Sequence, residues 1–187
     1  MRLYFNRALR VLLATNAAVI FASAMMAPIY AIFVEKIGGD VLDAGLTSGL
    51  FALVSGVVVL ISGRASDKMK DSELLVIAGY FILGIAFFLY NFVNTIPSLF
   101  MIQALIGLGY AATAPAYDAL YAKHVDGHRS GWQWSSWESM AYFATAAGSA
   151  AGGFIASEFG FNALFTAMSV LCLASALYMY LLPRRVL

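Results

Sequence analysis

The chain has 187 residues, 62% of them hydrophobic, and only 21 are charged, 11 Lys and Arg against 10 Asp and Glu. A soluble domain carries about 25% charged residues, so 11% with a mean hydropathy of +0.83 leaves too little polar surface to cover a globule in water. The net charge of +1 gives no bulk attraction for nucleic acid, and one cysteine, Cys172, excludes an internal disulfide and a cysteine-rich metal site. The composition is that of an integral membrane protein.

A helix needs about 20 apolar residues to cross a hydrocarbon core of about 30 Å. Six stretches qualify in chain order: about 11–34, 42–62, 74–93, 97–122, 132–157 and 161–183. The first follows Arg2, Arg7 and Arg10, but its apolar run is too long for a secretory signal core, so it reads as a span. None of the six alternates polar and apolar residues, which excludes barrel strands. Pro28 and Pro115 predict kinks in spans one and four. The connections 35–41, 63–73, 94–96, 123–131 and 158–160 are too short to hide a soluble domain. The expectation is one all-α bundle over 1–187, in a cell (inner) membrane.

Cations orient such a bundle. With the N-terminus inside, Arg2, Arg7, Arg10, Arg64, Lys68, Lys70, Lys123, Arg129, Arg184 and Arg185 are cytoplasmic, and Lys36 alone is outside. Six spans return the C-terminus to the cytoplasm. Trp132, Trp134 and Trp137 then sit at the inner mouth of span five and read as an interfacial belt.

Asp118 and Glu138 are carboxylates within spans. Intramembrane charges mark function by default, yet at about 1.5 Å per residue both lie within roughly 10 Å of the inner rim. They read either as a cytoplasmic ion network with Arg64, Lys68, Lys123 or Arg129, or as proton-coupling groups. Glu138 is the stronger proton candidate, because Tyr142, Thr145 and Ser149 continue its helical face. His124 and His128 flank Gly127 with no further Cys or His to complete a site, so no metal and no cofactor are expected. No hydrolase motif is present, and enzymatic activity is not expected.

Gly63-Arg64-Ala65-Ser66-Asp67-Lys68, after span two, resembles the loop signature of the major facilitator superfamily at Gly63, Asp67 and Lys68. Lys70 stands where that signature has its second glycine. Gly148, Gly152 and Gly153 resemble the family's fifth-span glycine run, and Gln103 stands where the family often has arginine. The resemblance implies two inverted three-helix repeats, about 1–93 and 94–187, forming one half of the family's twelve-span unit. Ala65-Ser66-Asp67 and Ala156-Ser157-Glu158, 91 residues apart, fall at equivalent ends of these repeats.

The resemblance further implies a conduit between two six-span bundles, and hence a parallel homodimer of this half-size chain moving solute by alternating access. Asn16, Gln103, Tyr110, Glu138 and Tyr142 are the expected solute contacts. Gly63, Arg64, Asp67, Lys68, Asp118 and Arg129 are the expected cytoplasmic gate. Gly49, Gly56, Gly148, Gly152 and Gly153 are expected at close helix contacts, across the dimer or within one bundle. Met25, Met26, Met101 and Met140 among aromatic residues favour a hydrophobic or amphipathic solute, proton coupling being open. The partners are then a small solute, membrane lipid and a second copy, with no nucleic acid. The alternative is a non-transporting assembly or regulatory subunit, or a truncated remnant, that pairs with another chain.

Overall fold

The structure, a computed structural model, describes residues 5–69 and 71–183. Arg2, Lys70, Arg184 and Arg185 lie outside the described residues. Among the described residues the regular elements are all helical: α1 (Arg7–Met26), α2 (Tyr30–Lys36), α3 (Val41–Lys68), α4 (Glu73–Leu89), α5 (Ile96–His124) and α6 (Ser130–Leu181). A 3-10 turn at Ala27–Ile29 joins α1 to α2 at the expected Pro28 bend. Taking α1 and α2 together, five of these helices are long and apolar enough to cross a membrane.

Local chemistry starts the helices. Asn6 Oδ1 accepts the Leu9 N–H at 2.8 Å and begins α1. Asp40 and Asp43 each accept the other's backbone N–H, at 2.9 and 3.1 Å, and begin α3. Thr95 and Ser98 do the same for α5, with Pro97 in its first turn. The signature segment is not a loop: α3 stays helical through Lys68 and stops at the extended Met69.

The 52 residues of α6 would reach about 78 Å if straight, more than twice the hydrocarbon core. Gly160 interrupts them, with φ 81° and ψ 171°, a conformation that costs any other residue about 1–3 kcal/mol. On the first arm (130–159), Trp137 Nε1–H donates to Asn16 Oδ1 and Ser149 Oγ–H to the Ala24 carbonyl, so this arm ascends beside α1. On the second arm (161–181), Phe161 and Phe165 lie against Phe33, and Tyr178 borders a hollow with Arg7 and Arg10. That arm descends, so the chain reverses at Gly160.

The remaining contacts are set by small residues and freed carbonyls. Pro115 has no N–H to give the Ala111 carbonyl; Ser62 Oγ–H of α3 donates to it instead, at 2.5 Å. α4 lies between α5 and the second arm, where Ser169 Oγ–H donates to the Gly84 carbonyl at 2.8 Å. A Cβ on Gly148 or Gly152 would collide with the Phe21 or Met25 carbonyl, so both glycines serve contact with α1 of the same chain. Gly49, Gly56 and Gly153 have nothing within 4 Å of where a Cβ would stand. They belong to uncovered surface, and on α3 that surface also carries the exposed Leu46, Leu53, Val57 and Leu60.

Candidate functional site

α1, α4, α5 and the first arm of α6 enclose a hollow of about 170 Å³. Asn16 and Ser23 reach it from α1, Tyr80 from α4, Tyr110, Thr113, Tyr117 and Asp118 from α5, and Trp137 from α6. Asn16 holds three helices together there. Its Nδ2 donates to the Tyr80 hydroxyl at 3.1 Å, and its Oδ1 accepts from Trp137 Nε1–H at 3.3 Å. Asn16 and Tyr80 are both buried, so the network is shielded from competing water.

Two hydroxyls in this wall, Ser23 Oγ and Tyr117 OH, are buried without a hydrogen-bond partner. The Trp137 indole lies beside Tyr117 with ring centroids 6.3 Å apart, but its N–H is given to Asn16. A second hollow, of about 400 Å³, adjoins the first and shares Ser23 and Tyr110 with it. Met26, Tyr30, Phe51, Tyr90, Gln103 and Ile106 line it, an aromatic and aliphatic surface with one amide.

Beyond the first hollow, aromatic rings close one end of the bundle. Tyr121 stacks near Tyr117 and meets Trp134 at 4.9 Å, and Trp134 meets Trp137 edge-on at 5.9 Å. The Tyr121 hydroxyl donates to the Gln133 carbonyl at 2.6 Å, and Gln133 Oε1 accepts the Asp126 N–H. Asn6 Nδ2 donates to the His124 carbonyl and ties the start of α1 to the same end.

Of the expected solute contacts, the structure brings Asn16, Tyr110 and Gln103 to the two adjoining hollows. Glu138 and Tyr142 line neither; both are exposed on the first arm, Tyr142 to 73%. Ser149 continues their face and bonds Ala24, the neighbour of the hollow-lining Ser23. A Cβ on Gly63 would stand 3.9 Å from the Pro115 side chain, so this glycine is not required by close packing, while Arg64, Asp67 and Lys68 are exposed at the end of α3. Asp118 is exposed at the rim of the first hollow, and Arg129 precedes α6. Among the described residues no ion pair joins Arg64, Asp67, Lys68 and Asp118, so the expected charge network is not formed by these four within one chain.

Tyr80, Thr113 and Trp137 were not among the expected site residues. Trp134 and Trp137 pack inward on Tyr117 and Tyr121, and only Trp132 fits an outward belt, 63% exposed. The signal for Tyr80 is the lone hydroxyl of α4, in an otherwise apolar run over 74–89; nothing local marks Trp137 as a cavity residue.

The Major Facilitator Superfamily model matches residues 12–186, and the chain belongs to that family of multi-pass membrane transporters. Multidrug resistance protein MdtG of Yersinia enterocolitica is 28% identical over 172 residues, which cover 90% of this chain and 42% of that protein. MdtG of Salmonella typhimurium is 27% identical over 179 residues, covering 93% and 44%. The uncharacterized MFS-type transporter YitZ of Bacillus subtilis is 26% identical over 159 residues, covering 85% of this chain and 96% of that protein. The chain thus spans less than half the length of the MdtG relatives and nearly matches YitZ.

Proposed function

We propose that this chain supplies one six-span wall of a secondary transporter that moves a hydrophobic or amphipathic solute by alternating access, with a second copy as the opposite wall. The reading is carried by the two adjoining, mostly apolar hollows inside the bundle. Six crossings follow from counting the two arms of α6 separately, since each has enough residues to span and they run in opposite directions. Both termini are then on one side, the cytoplasmic one by the distribution of cations.

Inverted repeats are supported by the pattern of contacts. Span two bonds span four through Ser62 and Ala111, and span five bonds span one through Ser149 and Ala24. Exchanging the two halves of the chain maps one pairing onto the other, and spans three and six pack on each other, as Ser169 and Gly84 show.

A partner wall is supported by charge. A carboxylate facing lipid tails is costly, so intramembrane charges face protein or water. Glu138, on an uncovered face, therefore identifies the side where a second bundle and an aqueous cleft belong; a proton on Glu138 would couple transport to a pH gradient. YitZ, a relative of similar length, supports a half-size unit. At the cytoplasmic end, the first turn of α6 has no side-chain cap and no acidic residue, and Asp67 is exposed at the end of α3. In the dimer each Asp67 latches the partner's α6 N-terminus, where a carboxylate gains about 0.3–1 kcal/mol.

Reconstitution tests this. Liposomes holding only this chain should transport Hoechst 33342 down an imposed gradient, and cross-linking in the same lipid should trap pairs. Solitary chains without flux would favour the reading in which this chain assembles with, or regulates, another protein.

A further inference from the structure

We propose that the hollow of about 270 Å³ between the start of α1 and the end of α6 holds the phosphodiester headgroup of an anionic glycerophospholipid, one without an ammonium group. The proposal goes beyond transport and rests on the reading above only for the placement of these two helix ends at the cytoplasmic surface.

The walls set the charge of the guest. Arg7, Arg10, Val11 and Ala14 line the hollow from α1, and Tyr178 lines it from the second arm of α6. Arg7, Arg10 and Ala14 follow one another at steps of three and four, so they share one face of the helix, and all three are exposed. Among the described residues no acid pairs with either arginine. Two guanidinium groups on one face, with their N–H donors unspent on carboxylates, match the oxygens of a phosphate. Tyr178, half exposed, adds a phenolic O–H from the opposite side. No carboxylate lines the hollow among the described residues, so nothing there receives the ammonium of a zwitterionic headgroup, and the two arginines repel it.

Depth and size point to a lipid rather than a free anion. The first apolar run starts at about residue 11, so Arg10 stands where headgroups meet acyl chains. From Arg7 to Ala14 the helix rises about 10 Å, which carries the hollow from the polar level into the hydrocarbon. Its volume equals about nine waters at roughly 30 Å³ each, room for a phosphate and its glycerol. Beyond Tyr178 the exposed Ala174 and Val170 continue the same face of α6 at steps of four, an apolar bed for an acyl chain. A free phosphate gains nothing from that bed.

The test is native mass spectrometry of the full chain released from an uncharged detergent, with phosphatidylglycerol, phosphatidylcholine or inorganic phosphate added. One phosphatidylglycerol per chain should stay bound, about tenfold more strongly than phosphatidylcholine, and excess phosphate should not displace it. Arg7→Gln combined with Arg10→Gln should weaken this retention about tenfold. Lys68→Gln combined with Lys123→Gln removes the same charge elsewhere at the cytoplasmic end and should leave retention unchanged. Arg10→Lys keeps the charge but loses the planar fork; it should weaken retention about threefold and serves should the double variant not fold. Equal retention of the two lipids, equal losses in the two double variants, or displacement by phosphate would overturn the lipid site. Retention without Hoechst flux would overturn the transporter reading and leave the lipid site standing; flux without retention does the reverse.

Discussion

Asn16 shows how much one amide can do inside an apolar bundle. Its two ends serve Tyr80 and Trp137, so Asn16→Ala takes a partner from a buried hydroxyl and from a half-buried indole N–H at once. Hydrogen bonds between transmembrane helices average about 0.6 kcal/mol and reach about 1.7, so the variant should lose about 1–3 kcal/mol, read as a lower midpoint in thermal unfolding of the purified protein. Glycines offer a sharper contrast at the same scale. Gly152→Ala drives a methyl into the Met25 carbonyl and should lower the unfolding midpoint clearly, whereas Gly49→Ala meets open space and should leave a lone chain within about 0.5 kcal/mol. That Asn16 and Tyr110 face a hollow was legible because polar groups are rare in apolar spans. Trp137 was not: a tryptophan near a cationic connection ordinarily marks an interface, and its true partner lies 121 positions away.

At the scale of elements, the kinked α5 and its neighbour form one unit. Ser62 satisfies the carbonyl that Pro115 leaves free, and lipid offers no substitute donor. Ser62→Ala alone should therefore destabilise the protein, by about 1–3 kcal/mol. Pro115→Ala restores an N–H to Ala111, so adding it to Ser62→Ala should recover most of that loss; a double-mutant cycle by thermal unfolding reads the coupling directly. Gly160→Ala forces an L side chain into a glycine-only conformation and should cost about 1–3 kcal/mol in the same assay. The span lengths and the break near Gly160 were readable from apolar runs and the short 158–160 connection. The Ser62–Ala111 bond was not, because it depends on how two helices slide past each other, and span sequences of low amphipathicity do not set that register.

The whole molecule is where the dimer must be judged. Cys172 is buried, so a cysteine introduced at Gly49 is the accessible thiol among the described residues. Gly49→Cys should form a disulfide or bismaleimide cross-link between copies if the α3 face meets the partner, and a variant that stays uncross-linked in lipid argues against that face. On the proposed dimer, Asp67→Asn would remove two symmetric latches worth about 0.3–1 kcal/mol each, so the inward-open population should rise about three- to thirtyfold. The reading is the labelling rate of cysteine probes at the cytoplasmic end, and equal rates in variant and parent would count against the latch.

Glu138 carries a consequence for how such an assembly is kept honest in the cell. In the proposed pair Glu138 faces the partner, so a copy without one leaves this carboxylate on the lipid side near the inner rim, where the bilayer thins and admits water around it. Orphans are thereby distinguishable from finished complexes by the defect they impose on surrounding lipid. Turnover of surplus subunits should accordingly slow when Glu138→Gln erases that mark, even though the substitution touches none of the contacts that hold the bundle together.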